Sequence, residues 1–77
     1  MRKFVATFFS HYDALTFFNF LKERGKTAKL SPVPRKVSAS CGTCVEFELE
    51  RDMDFNSHEI EAVYLDTSDG FVLFWNE

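Results

Sequence analysis

The order of apolar and polar residues along the chain predicts four β-strands. The strand patterns cover residues 3–9, 26–31, 43–50 and 71–75. The first segment, KFVATFF, is apolar on both faces of an extended chain, as expected of a central strand. The third has the cleanest alternation, with Val45, Phe47 and Leu49 on one face and glutamates on the other. Pro32 and Pro34 end the second strand, because proline cannot donate to a ladder.

Two further segments carry the start and stop signals of α-helices. The predicted helices cover residues 11–24 and 56–66. Ser10 is the expected N-cap of the first helix, and Gly25 supplies its left-handed C-terminal stop. Its apolar stripe consists of Ala14, Phe17, Phe18 and Leu21, with Tyr12, Leu15 and Phe20 outside it. Asn56 followed by Glu59 forms a capping box, which predicts the second helix.

The element order β-α-β-β-α-β predicts one α+β domain over residues 1–77. This order is typical of the ferredoxin-like arrangement, a four-stranded antiparallel sheet with both helices on one face. The other face would stay uncovered and carry apolar side chains, namely Val5, Phe9 and Val72 or Phe74. Because an open apolar face usually marks a partner surface, we expect a homo-oligomer.

Composition narrows the class of protein. The 77 residues are 45% hydrophobic and 27% charged, which is ordinary for a soluble domain, and ten phenylalanines enlarge a core that a short chain would otherwise leave small. The apolar run after Met1 is too short for a signal peptide, and no stretch is long enough to span a bilayer. We therefore expect a cytoplasmic protein without a membrane segment.

Charge is distributed unevenly along the chain. Residues 22–36 contain six basic residues against one acid, whereas residues 46–66 contain eight acids against one arginine. Two solvent-exposed faces of opposite charge explain this uneven distribution. The alternative is that the basic segment binds an anion or an acidic partner. Glu46, Glu48 and Glu50 point outward from the third predicted strand, where they would repel a phosphate backbone. We therefore expect no nucleic-acid partner.

Both cysteines lie in the motif CGTC, where a small basic loop meets the third strand. Cysteines of a cytosolic chain are more often catalytic, redox-active or metal-binding than disulfide-bonded. Arg35 and Lys36 precede Cys41, and Gly42 can expose its amide. Cations and free amides favour the thiolate, which is the nucleophilic form. The structural alternative is that Cys41 is a small buried residue at the start of a strand.

A cooperating Cys41–Cys44 pair is the other chemical interpretation. A disulfide needs Cα atoms about 4.4–6.8 Å apart, but three steps along an extended strand cover about 10 Å. A structural zinc ion needs four ligands, and the only histidines are His11 and His58, both at predicted helix starts. Redox and soft-metal sites therefore stay as alternatives to a single reactive thiol.

Three segments of the chain together resemble a known family. They are FSHYDAL at residues 9–15, PVPR at 32–35 and SASCG at 38–42. This combination is similar to a small bacterial family described as selenium/sulfur carrier protein-like. The resemblance implies a cysteine that carries sulfur or selenium as a persulfide or perselenide, and this role falls on Cys41. Cys44 is a departure from the family pattern and leaves a resolving thiol as an option.

The leading hypothesis is therefore a carrier or sulfur-transfer accessory protein. Cys41 would be the acceptor, supported by Arg35, Lys36 and the amide of Gly42. The resemblance implies a donor such as a cysteine desulfurase or selenocysteine lyase, and no cofactor of its own. A non-catalytic domain that oligomerises through its open sheet face is the alternative from another class.

Overall fold

A computed structural model describes residues 2–51 and 53–77. The chain forms β1 (Arg2–Thr7), α1 (His11–Glu23), β2 (Ala28–Pro32), β3 (Thr43–Leu49), β4 (Ala62–Thr67) and β5 (Gly70–Asn76). A 3-10 turn, Phe55–Ser57, lies between β3 and β4. No helix in these ranges is long and apolar enough to cross a membrane.

The strands form one antiparallel sheet in the order β2-β3-β1-β4-β5. β3 lies between the mutually parallel strands β1 and β2, and β1 lies between β3 and β4, which is the nesting of a split βαβ unit. The predicted α+β class and antiparallel sheet are confirmed, as is the central position of the first strand. Within residues 2–51 and 53–77, however, the sheet has five strands and one α-helix packs on it.

The predicted helix over residues 56–66 is wrong. Its N-terminal part is the 3-10 turn, where Asp54, not Asn56, is the cap: the Asp54 carboxylate accepts the Asn56 amide at 2.9 Å. Its C-terminal part is β4, which pairs with β1 and buries Val63 there. Pairing at the free edge of a central strand outweighs a local capping signal, because helix propensity is a weak preference. Because this part of the chain is a strand and not a helix, it also pairs with β5 as a β-hairpin.

The helix-side face of the sheet carries the core. Ser10 caps α1 as predicted, accepting the Asp13 amide at 3.2 Å. The predicted stripe is buried at Ala14, Phe17 and Leu21 and half-buried at Phe18. Phe17 packs edge-on against Phe47, with ring centroids 5.4 Å apart, and Phe55 from the 3-10 turn packs against Phe47 at 6.3 Å. The 3-10 turn thus fills the place that a second helix would take.

The second face of the sheet, opposite α1, is less open than expected. Val5 lies on it but is buried, because Glu46 and Tyr64 stand directly opposite on the neighbouring strands. Val72 and Phe74 are exposed but belong to the helix-side face: Val72 is opposite Leu65, and the Phe74 ring packs on Phe4. The apolar residues predicted to share one open face are therefore on different surfaces. Phe9, Tyr12 and Leu15 are exposed.

Candidate functional site

The Cys41 loop, residues 33–42, connects β2 to β3 at one end of the sheet. Its ends meet where the Val33 amide donates to the carbonyl of Gly42 at 3.2 Å. The Val37 amide donates to the carbonyl of Pro34 at 3.0 Å, which makes a turn with Arg35 and Lys36 at its centre. Both cations are exposed, whereas Val37 is buried. The predicted supporting cations thus share a loop with Cys41 and face solvent.

Cys41 is half-buried just before β3. Its Sγ donates to the carbonyl of Thr43 at 3.3 Å, and the side chain packs against the helix-side core. The hydroxyl of Thr43 lies 3.2 Å from Nδ1 of His11, the first residue of α1. The start of the helix and the thiol therefore contact the same residue. Gly42, the other predicted member of the site, is exposed, and a Cβ there would meet nothing within 4 Å.

A carboxylate anchors the loop one residue before Cys41. Glu61 accepts the backbone amide of Ser40 at 3.0 Å through Oε1 and the Ser40 hydroxyl through Oε2. The Glu61 amide in turn donates to the carbonyl of Thr7 at 2.8 Å, at the end of β1. Sequence reasoning missed this contact because it placed Glu61 in a helix, and no local signal links residues 21 positions apart.

Cys44 has a different environment, although it is three residues from Cys41. It is fully buried in β3, opposite Thr7 and Ser31. Its Sγ lies 3.7 Å from the Ser31 hydroxyl and 3.6 Å from the carbonyl of Pro32. Burial raises the pKa of the Cys44 thiol; the bond to Ser31 opposes this, while Glu46 and Cys41 add to it. Cys44 is therefore held as the neutral thiol.

A family model described as "Putative Se/S carrier protein-like" matches residues 3–64. The chain belongs to this family. The match contains the whole Cys41 loop and extends into β4, but it ends before β5. No curated protein and no solved structure gives a significant match to the chain.

Within this Se/S carrier-like chain, the two thiols lie on opposite sides of the sheet. Cys41 packs against the helix-side core, whereas Cys44 shares the second face with its cross-strand neighbours. Both are free. Over residues 2–51 and 53–77, no group of three or more His, Cys, Asp or Glu side chains could hold a metal ion. Cooperation between the thiols would require β3 to open at its start.

In the Se/S carrier-like fold, both histidines contact neighbouring side chains. His11 contacts Thr43, as described above. His58 packs edge-on against the rings of Phe17 and Phe20, with centroids 5.1 and 4.4 Å away. Burial lowers the pKa of His58, Asp54 opposes this, and Arg24 adds to it. His58 packs on the far side of the core from the second face, on which Cys44 lies.

Proposed function

We propose that this protein accepts a sulfur or selenium atom on Cys41 and passes it to a second acceptor. The observation that carries the proposal is the contrast between its two thiols: Cys41 reaches the surface in an anchored loop, and Cys44 is fully buried. Membership of the Se/S carrier-like family supports the same assignment. The protein would act as a carrier more than as an enzyme, because Cys41 receives the sulfur or selenium atom from one partner and transfers the same atom to another.

The transfer step needs no oxidant, because one S–S bond breaks and one S–S bond forms. The Cys41 thiolate attacks the terminal sulfur of a persulfide on the donor. The donor's S–S bond breaks, a new S–S bond forms to Cys41, and the donor cysteine leaves as a thiolate that takes up a proton. The same step with a perselenide would load selenium. The acceptor then regenerates the Cys41 thiolate by an identical attack.

Two features of the loop support the proposal. Arg35 and Lys36 are exposed cations on the same loop and would attract an anionic persulfide donor at long range. Open space beside Gly42 lets a bulky donor approach the backbone amide. Cys44 could serve as a resolving thiol only after leaving its buried position.

The proposed donor is an enzyme that generates a protein-bound persulfide or perselenide, of the cysteine desulfurase or selenocysteine lyase class. The carrier itself needs no cofactor for the step, since the donor forms the reactive group. The step requires a persulfide or perselenide on the donor and a reduced Cys41 thiol, which a reducing compartment such as the cytoplasm would maintain.

A second candidate is a non-catalytic interaction domain. Phe9, Tyr12 and Leu15 are exposed apolar side chains at the start of α1 and on its solvent face, and the helix is anchored without them. A redox or soft-metal Cys41–Cys44 site is a further alternative. It would require both sulfurs to meet on one side of the sheet.

Intact-mass measurement tests the carrier proposal directly. The protein is incubated with a cysteine desulfurase and cysteine, and a mass increase of one sulfur atom, removed by a reductant, is expected. Cys41→Ser should abolish the increase, and Cys44→Ser should retain it. Loss of loading in both variants would favour a cooperating pair. No loading of the wild-type protein would favour the interaction domain.

A further inference from the structure

The outer strand of the sheet, β5, is an unprotected edge. Its sequence, GFVLFWN, contains no charged residue and no proline. Among the described residues, β5 pairs with β4 on one side only, so alternate backbone N–H and C=O groups point away from the sheet. Val72 and Leu73 are each more than half exposed, at 54% and 53%, and Phe74 is exposed as well. Such an edge is a template for another strand.

The opposite edge of the same sheet is protected in the ways that proteins ordinarily use. β2 carries Lys29, which is exposed, and ends at Pro32, which cannot donate to a further ladder. One sheet thus has one blocked edge and one open edge. Since an open apolar edge invites association, β5 is available to pair with a further strand.

Residues 70–73 of the open edge pair with the end of β4 that lies away from Glu61, whereas the Glu77 amide after β5 donates to the carbonyl of Glu61 at 3.2 Å. The family match ends at residue 64, and β5 begins at Gly70. β5 is the neighbour of β4 in the strand order, whereas the Cys41 loop joins β2 to β3. A role for β5 therefore need not involve group transfer.

We infer that β5 pairs with β5 of a second copy, antiparallel about a twofold axis, so that two sheets become one. Within the strand, charge favours this occupant, because an uncharged strand meets its own copy without any charge inside the pairing, whereas the acids just beyond its two ends oppose the pairing. A charged strand would instead leave its charges against Val72, Leu73 and Phe74. The irregularity in the β4–β5 pairing is confined to Phe74, so residues 70–73 stay regular. Twofold pairing is also the commonest way for a soluble chain to assemble.

The flanks of β5 add a distinctive property. Asp69 and Glu77 are exposed acids at its two ends. In an antiparallel pair, the acids of one copy lie near those of the other at both ends, where they repel. Salt screens exposed like charges, so the dimer should become stronger as ionic strength rises. A dimer held by surface ion pairs would respond in the opposite direction.

Sedimentation equilibrium over a series of concentrations tests the inference. The test variant is Leu73→Lys in β5, and the matched control is Leu15→Lys, the same change at an exposed position of α1. The wild-type protein should dimerise, Leu73→Lys should weaken association roughly tenfold or more, and Leu15→Lys should leave it unchanged. Circular dichroism checks that both variants fold.

Each other outcome overturns the inference. A wild-type protein that stays monomeric up to its solubility limit has no β5 pairing, and its edge would serve a different protein. Loss of the dimer in Leu15→Lys alone would place the interface on the helix. Weakening of the dimer by salt would contradict the charge arrangement. Persulfide loading of Cys41 should be the same in Leu73→Lys as in wild type, so this test stands apart from that of the carrier proposal.

Discussion

Cys41 and Cys44 occupy one short motif, yet the structure gives them opposite environments. Cys41 is half-buried in a loop that the carboxylate of Glu61 anchors from just before β4, and Cys44 is fully buried inside β3. The difference arises because β3 begins at Thr43, between the two cysteines. Spacing alone therefore does not make a CxxC motif a pair: the strand that starts within it assigns the thiols to opposite faces.

Alkylation at neutral pH gives the sharpest test of this contrast. We expect iodoacetamide to label Cys41 faster than Cys44 by about a hundredfold or more. Cys44 must wait for β3 to open and has a raised pKa, so little of its thiolate is available. Peptide mass spectrometry at several reaction times measures both rates in one sample.

The labelling experiment also has clear contrary results. Equal rates would mean that the start of β3 opens readily and that the motif behaves as a pair. If neither cysteine reacts without denaturant, Cys41 is only a core residue. In urea both rates should converge, which is the internal control for the reagent.

The Glu61 carboxylate should affect the reactivity of Cys41 but not the local environment of Cys44. Glu61→Ala removes both Ser40 hydrogen bonds, and we expect the free energy of unfolding to fall by about 1 kcal/mol. Alkylation of Cys41 should become faster and depend less on which reagent is used. Urea titration and peptide labelling measure the two effects. Cys44 labelling should rise only as far as global stability falls.

Glu59→Ala is the matched control, because Glu59 is an exposed glutamate two residues earlier in the same segment. It should leave both the free energy of unfolding and Cys41 labelling unchanged. If the two variants behave alike, the carboxylate of Glu61 does not position the loop.

Stability should respond to alkaline pH through Cys44. Its pKa is raised in the folded protein, so above the ordinary thiol pKa the unfolded chain loses a proton that the folded chain keeps. The free energy of unfolding should therefore decrease as pH rises through that range. Urea titrations at about pH 7 and about pH 10 measure the decrease, and Cys44→Ala should reduce it.

His58 should make the free energy of unfolding depend on pH on the acid side, just as Cys44 does on the alkaline side. Its pKa is lowered in the folded protein, so stability is present above the ordinary histidine pKa and is lost as pH falls below it. An acid limb that persists in His58→Gln would assign that loss to carboxylates instead. The alkaline limb should be unaffected by this variant.

The sequence could predict those parts of the fold in which local and long-range preferences agree. Ser10 and Gly25 bound a helix whose apolar stripe repeats over several turns, and α1 follows them. Over residues 56–66, the capping box favoured a helix, but Val63 and its neighbours also fit a strand, and the free edge of β1 decided between them. The same error hid Glu61, whose contact with Ser40 depends on where β4 begins.

Gly42→Ala gives the smallest expected effect and tests access to Cys41. A Cβ at this position meets nothing within 4 Å and the backbone is not left-handed, so the free energy of unfolding should change by less than about 0.5 kcal/mol. If a bulky donor approaches the thiol beside this residue, persulfide loading should slow a few-fold while alkylation by small iodoacetamide keeps its rate. Equal slowing of both reactions would instead indicate that the methyl group disturbs Cys41 itself. Unchanged loading would place the donor's approach on the other side of the loop, toward His11 and the start of α1.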